Sequence, residues 1–260
     1  MSEYSSQKDL YGDLYQTEKY RSKLSDHKIL AGNQFKNKKV LVLGIGTGRD
    51  VWDLAKDNSV IGLDNSSNLR KLLNKHNIKL NSYKLLKKLP FKANSFDLII
   101  AKDILEHIEY PFEICQEIYR ILKPTGYAVI NVPNHFFIIM RLKYLFGGNL
   151  IWKTPGINHE ILFDEWNYMH IKYFTWKGFS KMLFKARLNI SKTFFDIGTL
   201  NHYTDPLIIL DYYSSHKYYS YIKIAVKIFN MVFPISMRRY IASLNPNLLS
   251  GSFYVWVTKV

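Results

Sequence analysis

Three glycines stand at alternate positions in LGIGTGRD: Gly44, Gly46 and Gly48. They directly follow the β-branched and leucine run KVLVL and precede VWDLAK, which reads as a helix. Glycines here let the chain turn tightly and let a ligand approach the backbone. The helix start that follows offers free N–H groups, which suit a carboxylate or a phosphate. The spacing is G-x-G-x-G, one residue short of the dinucleotide fingerprint, so Arg49 stands where that pattern has its third glycine. Asp64 closes SVIGLD, 16 residues beyond Gly48. A carboxylate there can accept hydrogen bonds from both hydroxyls of a ribose. It can equally cap the helix that follows. Asp103 and His107 lie one helical turn apart and could share a metal, but no third ligand is evident, so no metal site is expected. Cys115, with Phe112 and Ile118 around it in a helical pattern, reads as core.

The elements that must hold these residues alternate. Strand-like runs occur at 38–43, 59–64, 78–86, 95–103 and 127–134, with helical patterns between them at 51–56, 67–77 and 104–124, the last interrupted near Tyr110–Pro111. Strands alternating with helices imply a parallel, doubly wound sheet. Right-handed crossovers bring all strand C-terminal ends to one edge, where such sheets bind ligands. The glycines, Asp64, Lys102, Asp103 and His135 all fall just after strands. Residues 1–37 read as a polar helical segment, 38–134 as the core and 135–187 as an irregular aromatic segment ending in a helix at 175–188. A strand at 189–198, a helical insertion at 205–245 and a closing strand at 252–260 complete one domain over 1–260.

Composition excludes several classes. Hydrophobic residues make up 47% and charged residues 22% of the 260, which rules out general disorder. A single cysteine rules out a disulfide scaffold and a cysteine-based zinc site. The N-terminal stretch has no apolar core of a signal peptide, and no run reaches the ~18 apolar residues of a spanning helix. The expectation is a cytoplasmic protein, with a peripheral membrane position as the variant. The formal charge of +15 favours anionic partners. The lysines are dispersed, however, and a dedicated nucleic-acid role is not expected.

The motifs VLVLGIGTG, VIGLDNS, LPFKANSFDLIIAKDILEHI and EIYRILKPTGYAVINVPN occur in that order. Together they resemble the successive motifs of class I S-adenosylmethionine-dependent methyltransferases. HIKYFTWKGFSKMLFKARL (170–188) resembles a subgroup, the quinone-biosynthesis and sugar or polysaccharide O-methyltransferases. The resemblance implies a Rossmann-like α/β fold: a doubly wound seven-stranded sheet, mostly parallel with an antiparallel last strand, plus a helical insertion near the C-terminus. It implies S-adenosylmethionine as cofactor. Gly44, Gly46 and Gly48 would pass under its methionine part, and Asp64, with Asn65 beside it, would hold the ribose. Leu86 would meet the adenine through its backbone N–H. Lys102 and Asp103 would face the methionine end, and His107 would pack near the cofactor. Three departures stand out. Val42 and Leu85 occupy positions where the family usually carries acids, and Thr125 replaces a common glycine. Each lost carboxylate hydrogen bond is worth about 1.5–3 kcal/mol. Asp50, at the helix start, is an acid that could compensate for Val42.

Methyl transfer to a hydroxyl needs a base, most commonly histidine. His170 opens HIKYFT and matches a histidine of the resembled subgroup; its alternative role is to orient its loop. His135, in VPNH, follows the fifth strand and either acts as base or lines a pocket. Phe136, Phe137, Trp152, Trp166, Tyr168, Tyr173 and Phe174 suggest an apolar or sugar-stacking acceptor site, although many aromatics of this kind are core. The acceptor expected is a small molecule, a glycan or a lipid-linked sugar. The 205–245 insertion combines apolar residues with Lys217, Lys223, Lys227, Arg238 and Arg239. It reads as a cap over the acceptor or as a basic amphipathic surface for a membrane. Two further readings follow from the same residues: a methyltransferase fold that binds without catalysis, and an RNA methyltransferase.

Overall fold

The computed structural model describes residues 35–147, 170–195, 224, 228, 231–232 and 234–260. KVLVL forms β1 (Lys39–Leu43), whose last four residues are buried. It lies between β2 (Ser59–Asp64) and β4 (Phe96–Lys102) and is parallel to both. A strand buried on both faces needs a continuous apolar run, as this one has. β3 (Ile78–Ser82) pairs parallel with β2, and β5 (Leu122–Pro133) pairs parallel with β4. With β6 (Leu188–Phe195) and β7 (Ser252–Lys259) the sheet has seven strands in the order β3-β2-β1-β4-β5-β7-β6. It is mixed, mostly parallel, with the last strands antiparallel. This is the expected α/β architecture.

The crossovers are short helices. A 3-10 turn, Arg49–Val51, leads into α1 (Trp52–Asp57), and another, Ser67–Leu69, leads into α2 (Arg70–Asn74). The helix expected over 67–77 ends early because Asn77 takes a left-handed conformation, φ 59°. The pattern at 104–124 divides in two. Leu105–His107 is a 3-10 turn, and α3 (Pro111–Ile121) starts on a proline whose fixed φ suits a first helical position. Ile114, Cys115, Ile118 and Ile121 make the buried face of α3. Burying each of the isoleucines is worth about 1.5–3 kcal/mol. Burial pushes the Cys115 thiol up to about 12.

β5 begins five residues before the strand expected at 127. Its register jumps from Phe96↔Leu122 to Leu98↔Tyr127, a bulge that contains Pro124 and Gly126. Pro124 has no N–H to give a ladder. A side chain on Gly126 would sit 2.9 Å from the Asp97 carbonyl oxygen. Those residues interrupt the ladder without ending the strand.

The chain divides into two units. The first is 1–131 with 181–192 and 255–260, and the second is 132–180 with 193–254. The first holds most of the sheet. The second contains α4 (Ile138–Leu145), α6 (Ile235–Leu244) and α7 (Pro246–Leu249). α5 (Trp176–Lys185) starts at the expected place. The expected helix up to residue 34, the segment 148–169 and all of 196–223, with much of 225–233, lie outside the described residues. Among the described residues, no helix is long and apolar enough to cross a membrane.

Candidate functional site

In the first unit the chain leaves β1 through three left-handed glycines: Gly44 (φ 64°), Gly46 (φ 51°) and Gly48 (φ 69°). The turn is held to β2 by its backbone. The Gly44 and Ile45 N–H groups both donate to the Leu63 carbonyl, at 2.8 and 3.1 Å. A Cβ on Gly44 would lie 2.5 Å from Ile104 Cδ1, and one on Gly48 would lie 2.6 Å from Leu73 Cδ2. Backbone angle and close packing therefore both demand glycine at these positions. Trp52 Nε1 donates to the Thr47 carbonyl at 3.2 Å and ties the loop to α1.

Asp64 closes the other side of this turn. One carboxylate oxygen accepts the Gly46 N–H at 2.9 Å, and the other accepts the Ser66 N–H at 2.8 Å. The second bond closes a local Asx turn ahead of the Ser67–Leu69 turn, and the first joins the acid to the glycine loop. Each carboxylate oxygen has two lone-pair sites. One on each is left for hydroxyl donors. Asn65 beside it is exposed, and Leu86 lies on the 83–90 loop, 46% exposed.

At the end of β4, Lys102 Nζ meets Asp50 Oδ2 at 2.8 Å, with side chains 15% and 34% exposed. Asp50, the acid that could have compensated for Val42, is thus engaged by a lysine. Val42 itself is buried in β1. Asp103 is exposed, adopts φ 47°, and donates its N–H to the Asn131 carbonyl at 3.3 Å. Asn131 faces Lys102 in register and is fully buried, with neither polar atom of its side chain hydrogen-bonded. Arg49 Nη1, immediately after the glycine loop, is likewise buried without a hydrogen-bond partner. Glu106 is 1% exposed, and burial, with Asp103 nearby, holds its carboxyl well above the usual range. Half-buried His107 keeps its Nε2 3.9 Å from Glu106 Oε1.

Sequence reading passed over Asn131, Glu106, Arg49 and the Lys102–Asp50 pair as a set. The signals were a lone amide inside the apolar run AVINV and charged residues at strand and loop ends. The polar capacity these residues leave is acceptor sites on Asp64, a guanidinium donor on Arg49 and the buried amide of Asn131.

In the second unit the two histidine candidates meet. His135 Nε2 and His170 Nδ1 are 2.7 Å apart, with the rings crossed at 85°. One nitrogen donates and the other accepts. His135 is 6% exposed and His170 half-buried. Tyr173 presses on the His135 ring edge-on, with centroids 4.8 Å apart. The backbone around His135 is pinned by its neighbour. Asn134 donates its N–H to the Gly251 carbonyl and its side-chain NH2 to the Ser250 and Asn247 carbonyls, while its Oδ1 accepts the Phe136 N–H. The Tyr144 hydroxyl donates to the His135 carbonyl at 3.3 Å. Of the aromatic set, Phe137 and Phe174 are buried, and Phe174 packs edge-on against Phe179; both are core residues. Trp152, Trp166 and Tyr168 lie outside the described residues.

Residues 41–130 match the family model described as a methyltransferase domain. An uncharacterized protein of Methanocaldococcus jannaschii is 41% identical over 106 residues, 39% of this chain and 44% of that protein. The methyltransferase str3 of Strobilurus tenacellus is 26% identical over 139 residues, 52% of this chain and 47% of that protein. The chain therefore spans less than half the length of the curated relatives it matches. A solved SAM-dependent methyltransferase from Methanosarcina mazei shares the fold at a TM-score of 0.52 and 20% identity, covering 66% of this chain and 90% of that one. Residues 41–130 thus resemble a methyltransferase domain, and the chain shares the Rossmann-like fold of solved SAM-dependent methyltransferases.

Proposed function

We propose that this chain transfers the methyl group of S-adenosylmethionine to a hydroxyl oxygen of a sugar, a cell-envelope glycan precursor or a lipid-soluble small molecule. The observation that carries the reading is Asp64 clasping the Gly46 N–H within the segment that matches the methyltransferase domain. The cofactor supplies a methyl carbon already activated by a sulfonium, so alignment is the main task left to the protein.

In this reading Gly44, Gly46 and Gly48 let the backbone run close beneath the methionine part, and Asp64 takes the ribose hydroxyls on its remaining lone pairs. The Leu86 N–H meets the adenine. Arg49 Nη1 and the Asn131 amide, buried without hydrogen-bond partners, would supply polar contacts to the cofactor. His170 removes the acceptor proton from its Nε2 side. His135 fixes the His170 ring through the 2.7 Å contact and shares the charge of the imidazolium that forms. Bound S-adenosylmethionine would supply the methyl group to the acceptor oxygen, whose proton would go to His170.

The test is calorimetric titration with S-adenosylmethionine and with its demethylated product. Micromolar binding of both to the wild type, lost in Asp64→Ala, is the expected result. Failure of either compound to bind at millimolar concentration would overturn the reading. It would favour a fold retained for binding alone, for which Val42 and Leu85 at the usual acid positions are the specific observation.

A further inference from the structure

Upstream of Pro234, the described helical residues Ile224, Ile228, Met231 and Val232 are all apolar. Steps of four, three and one place them on a single stripe of a helix with 3.6 residues per turn. They are 57, 51, 76 and 55% exposed. Beyond Pro234, α6 repeats the arrangement. Met237, Tyr240 and Leu244 follow one another by three and four residues on one face and are 45, 65 and 68% exposed, while Ala242 on the opposite face is fully buried. Single exposed apolar residues are ordinary, but seven on two successive stripes mark an interaction surface.

The charge of the same region identifies the partner. From Tyr212 to Val260 the sequence carries Lys217, Lys223, Lys227, Arg238, Arg239 and Lys259, and no Asp or Glu at all. The 21 acids of the chain all lie before it. Apolar stripes in a stretch that is basic and free of acids match a bilayer with anionic headgroups: acyl chains accept the stripe and lipid phosphates attract the cations. No described helix is able to span a membrane, so the fit is in the plane of the interface.

We propose that the apolar stripes of Ile224, Ile228, Met231 and Val232 and of Met237, Tyr240 and Leu244 dock in-plane on an anionic lipid surface, at the boundary between headgroups and acyl chains. None of these residues carries a role in cofactor binding or proton removal in the function proposed above. The docking therefore stands whether or not the glycine loop holds S-adenosylmethionine, and the calorimetric test of that loop is separate from the one that follows.

The experiment is co-sedimentation of the full chain with vesicles of phosphatidylcholine alone and of phosphatidylcholine mixed with phosphatidylglycerol. Binding to the anionic vesicles is expected, weakened by salt and at least about tenfold weaker on the neutral ones. Two paired variants separate the forces. Ile228→Gln with Met231→Gln removes apolar surface and keeps the charge. Lys223→Gln with Lys227→Gln removes charge and keeps the stripe. Each pair is expected to weaken binding at least about tenfold with the far-ultraviolet circular dichroism spectrum unchanged. Three results would overturn the proposal: no vesicle binding by the wild type, binding by the Ile228/Met231 pair equal to the wild type, or a wild-type dimer that this pair converts to monomer. The last would assign the stripe to a second copy of the chain.

Discussion

Glu106 is a carboxyl in a setting that favours its neutral form. Burial is the larger cause and Asp103 the smaller. Its value in the folded chain lies above its unfolded value, so the stability it contributes is fully present below the unfolded value and is lost as pH rises through the folded one. Glu106→Gln cannot titrate. As pH rises above the usual carboxylate range the wild type is expected to lose melting temperature relative to this variant, and parallel melting curves would refute the assignment. Lys102–Asp50 is a different kind of pair, partly solvated, and Lys102→Met should cost no more than about 1 kcal/mol in a denaturant titration. At this scale the sequence was legible where backbone and side chain share one need. Gly44 and Asp64 could be read because a left-handed turn and an acid at a strand end each have few substitutes. The pairing of Asp50 with Lys102, and of His135 with His170, was not legible, because each partner lies 52 or 35 residues away and only the folded chain brings it near.

At the scale of elements, the turn after β1 is the most demanding piece of the fold. An alanine on Gly44 would have to keep φ 64° and displace Ile104. Gly44→Ala is expected to cost about 1–3 kcal/mol and to weaken S-adenosylmethionine binding as well, measured by denaturant unfolding and calorimetry. α3 is fastened differently. Glu117 accepts the Leu89 N–H at 2.7 Å and holds Arg120, whose guanidinium also donates to the Leu89 carbonyl. Burial raises the Glu117 carboxyl, but Arg120 and the Leu89 N–H outweigh it and hold the group below the usual range. Its contribution is therefore present above the unfolded value and is lost as pH falls through the folded one. Glu117→Ala should remove about 1–2 kcal/mol at neutral pH, the modest figure reflecting partial solvation, and much less in acid. The order of strands and helices followed from hydrophobic runs and glycines. The start of β5 did not, because Pro124 and Gly126 signal a stop locally while pairing with β4 carries the strand through them.

Across the whole molecule, polarity is divided along the sequence: every acid precedes Tyr212. Net charge alone suggested an anionic partner and left its kind open, since +15 spread over dispersed lysines suits RNA, phosphates and lipids alike. Exposure of the apolar stripes, which no composition reveals, is what favours lipid. The buried face of α3 carries one more consequence. Cys115 is the chain's single cysteine, fully buried, with its thiol pushed up to about 12. The thiolate is the reactive form, so this sulfur is protected twice over from alkylation. A thiol-directed dye should leave the native protein unlabelled and react on addition of denaturant, which makes Cys115 an internal clock for opening of the core. A cysteine placed at Met231 would then be the one position the dye reaches in the native state, and its shielding by vesicles could be followed without interference from within.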